Sequence, residues 1–136
     1  MTILNKEMYA VPDGFDTVKE GITYGRLLEI TYESSTTGTI RKANIVLPPN
    51  FDASKQYPVL YLLHGIGGDH NEWLGAEPVY VLSNLAAEGK AESMITVIPN
   101  VRARANDAGN PQDIYTLGHY KAFDNFINDL KEVIEW

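Results

Sequence analysis

The residues best suited to chemistry lie in one short run, His64-Gly65-Ile66-Gly67-Gly68, directly after the apolar segment Tyr57–Leu63. A glycine-rich turn at the carboxyl end of a buried strand lets main-chain N–H groups face a crevice, and such donors suit an anion or a developing oxyanion. Gly65 and Gly67 are then candidate substrate-binding positions, although a sharp exit from a strand needs glycine on steric grounds alone. Phosphate readings fail. No Gly-Lys-Ser/Thr follows the turn, and a dinucleotide fingerprint would need glycine where His70 stands. A metal centre built from His64, Asp69, His70 and Glu72 does not match zinc spacing, so no metal and no cofactor is expected, and His64 is read as the residue that fixes the turn. His119, at the entrance to the last helix, reads as a surface or capping residue. Asp113, Asp124, Asp129, Glu132 and Glu135 read as solvated side chains of that helix and the loop before it. Among the aromatics, Tyr80 and Tyr120 are assigned to packing, and Trp73, beside the glycine turn, is the pocket candidate with Tyr115 as a further possible lining residue.

These groups need elements to position them. Arg26–Ser34 alternates in the manner of a strand, Ser34–Thr39 is a turn, and Ile40–Leu47 resumes the alternation before Pro48-Pro49, which predicts an antiparallel hairpin. Tyr57–Leu63 is apolar almost throughout, the pattern of a strand covered on both faces. Pro78–Glu88 places Val79, Leu82, Leu85 and Ala86 on one helical face, with proline at the start and Gly89 just past the end. Ser93–Ile98 is a second short apolar strand, so strand, helix and strand form a parallel βαβ unit. Val101–Gly118 is a polar loop. Tyr120, Phe123, Ile127, Leu130 and Ile134, widened by Phe126 and Val133, predict one core-facing helix.

Composition limits the classes of function. The 136 residues include 18 acidic and 11 basic side chains, a net charge of −7, which offers no field for nucleic acid or anionic lipid. No run approaches the roughly 20 apolar residues of a membrane span. Cysteine is absent, which fits cytoplasm and export equally, and the first ten residues, MTILNKEMYA, lack the pattern of a signal peptide, so the compartment stays open.

Tyr57-Pro-Val-Leu-Tyr-Leu-Leu-His64-Gly65-Ile66-Gly67-Gly68-Asp-His-Asn-Glu-Trp73 resembles the third strand and oxyanion loop of carbohydrate esterase family 1, and in particular its feruloyl esterase domains. The likeness extends over the strand from Tyr24, the helix end Asn84–Lys90, Met94–Asn100 and Phe123–Leu130. It implies an α/β class: a partial α/β-hydrolase fold, residues 1–136 forming the N-terminal part of a single esterase domain. Members cleave esters with a Ser-His-Asp triad whose serine sits on a Gly-x-Ser-x-Gly elbow. None of Ser34, Ser35, Ser54, Ser83 and Ser93 lies in such a motif, and the family's elbow, acid and triad histidine come after the helix that begins near His119. What carries over is Ile66, which matches the position whose backbone N–H supplies one oxyanion donor, and His64, which matches a structural histidine.

Two functions follow as expectations. The first is the N-terminal portion of a serine esterase acting on hydroxycinnamate esters of xylan, inactive unless the C-terminal remainder is supplied. The second is a non-catalytic binding or assembly module whose Trp73 loop grips a sugar or aromatic group. Family resemblance and the handedness of βαβ units give the strand order Arg26–Ser34, Ile40–Leu47, Ser93–Ile98, Tyr57–Leu63. The last strand is then an apolar edge that needs a cover: the remainder of the esterase, a second copy, or the last helix shifted onto it.

Overall fold

The computed structural model describes residues 10–135; apart from Ala10, the segment read for a signal peptide lies outside them. Strands β1 (Arg26–Ser34) and β2 (Thr39–Leu47) form the expected antiparallel hairpin, with Arg26 opposite Leu47 and Ser34 opposite Thr39. Gly38 closes the turn at φ 69°, a left-handed conformation that glycine adopts without a Cβ clash, and its N–H donates to Ser34 O at 2.8 Å. Strand β3 (Val59–Tyr61) leads through the glycine turn to a 3-10 turn (Glu72–Ala76) and helix α1 (Pro78–Ala87). Beyond α1, Gly89 N–H donates to Ala86 O and Lys90 N–H to Leu85 O, the paired closure of a Schellman cap. Strand β4 (Ile95–Pro99) then lies parallel to β3 and antiparallel to β2. The sheet order β1-β2-β4-β3 is the order expected from the sequence.

Strand β3 differs from its reading as a covered strand. Only three residues have regular strand geometry, although Ile95 N–H to Pro58 O and Leu62 N–H to Val97 O continue the ladder at each end. Its far margin is unpaired among the described residues, and Val59 remains 47% exposed. Tyr61 packs towards the main core, while Leu60 and Leu62 line a groove with Trp73 and α1.

The last helix also departs from expectation. It is two helices, α2 (Leu117–Asp124) and α3 (Phe126–Ile134), divided at Asn125. The loop after β4 intervenes at this point: Ala103 N–H donates to Ala122 O at 3.0 Å, and Asn125 Nδ2 donates to Ala103 O at 3.1 Å. An Ala122 carbonyl engaged by the loop is drawn away from the next helical turn, and the phase of the apolar stripe changes. Phe126 and Val133 point inward, whereas Ile127 is 62% and Ile134 58% exposed, and Tyr120 is exposed as well. Val133 packs on Ile30, Tyr32, Ala43, Ile45 and Val97, so α3 covers the hairpin side of the sheet. It is not shifted onto the β3 margin. A second cluster, Val101, Ala103 and Phe126 with Phe123 and Leu130, joins the loop after β4 to both helices.

Candidate oxyanion site

The turn after β3 is held by its carbonyl groups. His64, buried under Phe123, has Nδ1 2.6 Å from Gly65 O, an acceptor, so Nδ1 carries the proton. Nε2 is then the acceptor for Val101 N–H at 2.8 Å. Both ring nitrogens are therefore engaged, in keeping with a structural role. Gly68 N–H also donates to Gly65 O, at 3.1 Å. All peptide bonds described are trans, which sets the N–H of a peptide opposite its C=O. With Gly65 O turned towards His64 Nδ1 and Gly68 N–H, the Ile66 N–H points away from both. It has no acceptor among the described residues.

The next peptide is anchored in the same way. Ile66 O accepts from His119 Nε2 at 2.7 Å and from Arg102 at 3.4 Å, and Arg102 also donates to Gly68 O at 2.6 Å. Gly67 N–H, on the opposite side of that peptide, likewise lacks a partner among the described residues. Gly65 N–H is spent, because it donates to Glu72 Oε1 at 3.0 Å. Of the two glycines read as substrate-binding, only Gly67 thus presents a free main-chain donor.

His119 is not at the surface. It is 0% exposed, stacks on Phe123 at 5.3 Å, and sets Nδ1 3.2 Å from Asp113 Oδ1. Asp113 is held below the ordinary carboxylate range chiefly by Arg104, which donates to its other oxygen at 2.8 Å, and further by His119. Arg102 is fully buried, and burial followed by repulsion from Arg104 lowers the pKa of its guanidinium. Two further sequence readings change. Asp129 is buried, not solvated, because Phe126, Asp129 and Val133 share the inner face of α3. Its carboxylate pairs with Arg41 Nε at 3.1 Å and accepts from Tyr32 and Ser34 hydroxyls at 2.7 and 2.5 Å. Arg41 in turn donates to Asn100 O and Arg102 O, fixing the loop that carries Arg102. Glu132 caps the hairpin turn by accepting from Ser35 and Thr36 N–H at 2.6 and 3.0 Å.

Trp73 stands in the 3-10 turn with Nε1 donating to Leu63 O at 3.0 Å, and its ring lines an apolar groove of about 190 Å³ with Leu60, Leu62, Ala76, Pro78, Val81 and Leu82. Tyr80 packs edge-on against Tyr24, as its assignment to packing requires, and Tyr115 is exposed. The residues weighed as metal ligands go separate ways: His64 to the turn, Glu72 to Gly65 N–H, His70 to within 3.4 Å of Glu29, and Asp69 to Asn71 N–H. Among the described residues no cluster of His, Asp or Glu is arranged to hold a metal.

Glu72, Arg102, His119 and Arg41 were not recognised as parts of this site from the sequence. Glu72 carried a usable signal, since a carboxylate a few residues beyond a glycine turn can return to its N–H groups. The others act across long separations that spacing does not reveal.

Known proteins give this geometry its context. The Esterase family model matches residues 34–130. A protein of Xylanibacter ruminicola named endo-1,4-beta-xylanase/feruloyl esterase is 31% identical over 98 residues, covering 68% of this chain and 14% of its own length. The structure of a CE1 ferulic acid esterase from Anaeromyces mucronatus, in complex with ferulic acid, superposes with a TM-score of 0.79 at 40% identity, over 92% of this chain and 46% of that one. The feruloyl esterase module of Clostridium thermocellum, complexed with sinapinate, gives a TM-score of 0.58 at 26% identity, over 74% of this chain and 33% of that one. The chain thus spans less than half of the solved esterases and a smaller share of the xylanase. Sequence and fold agree: this chain belongs to the Esterase family, with a partial α/β-hydrolase fold of the kind found in CE1 feruloyl esterases.

Proposed function

We propose that this chain is the oxyanion-bearing portion of a serine carboxylesterase that hydrolyses hydroxycinnamate esters of xylan. The observation that carries the reading is the Ile66 N–H, which has no acceptor among the described residues and is oriented by the anchored Gly65 carbonyl. In this reaction a serine oxygen attacks the ester carbonyl carbon and the carbonyl electron pair moves onto oxygen, where a preorganised N–H stabilises the charge. The serine proton passes to a histidine and from there to the departing sugar oxygen, and water then releases the acid. Ile66 supplies one donor. The nucleophile, its base and the second donor belong to a Gly-x-Ser-x-Gly portion, for which the unpaired margin of β3 is the natural place to dock. Feruloyl specificity is supported by the name of the Xylanibacter protein and by the ferulic acid complex of the Anaeromyces enzyme.

The test is complementation. The chain alone should release no ferulate above a heat-killed control. Mixed or co-expressed with the C-terminal half of the Anaeromyces enzyme it should become active, and Ile66→Pro, which deletes the donor N–H, should lower kcat by about 100-fold or more. Hydrolysis by the chain alone would overturn the reading. A chain that stays inactive with its complement yet binds xylan oligosaccharides would favour a binding module, and self-association through Tyr57–Leu63 would show as a dimer that the complement fails to dissociate.

A further inference from the structure

The mechanism above uses Ile66 N–H but leaves a fully buried histidine unexplained. We infer that His119 is a positioning residue for ester cleavage, holding the Ile66 carbonyl so that the neighbouring N–H cannot turn away from the forming oxyanion. The inference rests on the esterase reading and adds a residue to it.

The argument begins at Ile66 Cα, which joins two peptide planes. His64 and Gly68 N–H hold the first through Gly65 O. If that plane alone were held, it could still rock by compensating rotation about the soft dihedrals on either side, carrying the Ile66 N–H with it. His119 removes that freedom by holding the second plane through Ile66 O at 2.7 Å. Arg102 reaches the same oxygen only at 3.4 Å and makes its short bond to Gly68 O, so it is the weaker hold on Ile66.

His119 is itself held by Asp113 and by Phe123. Asp113 accepts from Nδ1, Arg104 fixes Asp113, and Phe123 stacks on the ring. Both partners of the imidazole, the Asp113 carboxylate and the Ile66 carbonyl, are acceptors, so both bonds are made together only when each nitrogen carries a proton. The same Phe123 meets His64 edge-on at 5.7 Å, which places one aromatic ring between the two histidines that anchor the two planes. Packing alone does not require a buried donor of this reach; an apolar side chain would fill the space against Phe123 and leave Ile66 O without its principal bond.

Two readouts test this. In the chain labelled with 13C and 15N, His119→Leu should move the Ile66 carbonyl signal upfield, and His119→Gln, which retains an N–H donor, should restore most of the shift. In the complemented esterase, His119→Leu should lower kcat about 10- to 100-fold with KM changed less than about twofold, because a donor misplaced by an ångström acts on the transition state. His119→Gln should recover most of kcat. Should His119→Leu fold poorly, Asp113→Asn, a partly exposed change, should reduce kcat in the same direction by a smaller factor. An unmoved carbonyl signal overturns the inference whatever the activity. A moved signal with unchanged kcat shows a purely structural histidine and overturns it too. A complemented wild-type protein without activity removes both the esterase reading and the role built on it, and is recognised because the carbonyl shift persists.

Discussion

Replacing Asp129 by alanine should cost the fold about 3–5 kcal/mol, the range for removing one member of a buried ion pair. The magnitude follows from what remains behind. Arg41, whose side chain is 0% exposed, loses the carboxylate 3.1 Å from Nε and keeps only carbonyl acceptors, the Tyr32 hydroxyl and the partly exposed Asp107 at 3.6 Å. The hydroxyls of Tyr32 and Ser34 lose their acceptor at the same time, each a buried group worth about 1–3 kcal/mol when left unpaired. These terms overlap and do not add. A domain of ordinary stability, about 5–15 kcal/mol, would lose a large fraction of it. Urea denaturation followed by circular dichroism measures the difference. Asp129→Leu combined with Arg41→Met should cost clearly less than the sum of the single changes, since the second removes the stranded charge. A loss below about 1 kcal/mol for Asp129→Ala would refute the reasoning, because Arg41 would then be finding water or adequate partners elsewhere.

Two further outcomes are open to measurement. Glu132 is held at a pKa of about 2 against an ordinary 4.5 by Thr36 and Ser35, so the unfolded chain binds the more protons between those values. Stability should therefore be complete above pH 4.5 and decline as the pH falls towards 2; Glu132→Gln should flatten that decline, as read by urea titrations at each pH, and an unchanged slope would argue against the cap. Gly68→Ala would place a Cβ 1.7 Å from Glu72 Oε2 and 3.1 Å from His64 Cβ, expelling the carboxylate from Gly65 N–H. It should cost about 1–2 kcal/mol, and less in a Glu72→Ala background, where equal costs would show that the two residues do not meet.

Much of the scaffold was legible because local patterns encode it. The hairpin follows from alternation on either side of a glycine-containing turn, and α1 from proline at its first position and Gly89 just after its end. The turn after β3 was legible through its glycines, and His64 as the residue that fixes it. What escaped depends on tertiary competition. The stripe from Tyr120 to Ile134 was read in one helical phase, but the loop at Ala103 breaks the helix at Asn125, and the buried face becomes Phe126, Asp129 and Val133. Asp129 consequently looked solvated. His119 looked like a cap because nothing near it in sequence reveals that a carbonyl 53 residues earlier will lie against its ring.

The bond between Tyr32 and Asp129 spans 97 residues, and this separation is also a delay. At about 5–20 residues per second of synthesis, the face of the hairpin that α3 covers waits roughly 5–20 s before its cover exists. During that interval Ile30 and Ile45 stand in water, but so do Arg41, Ser34 and the Tyr32 hydroxyl, whose hydration keeps the surface from being uniformly adhesive. The polar groups that make the finished core costly to disturb are thus the groups that let its first half wait in solution for the rest.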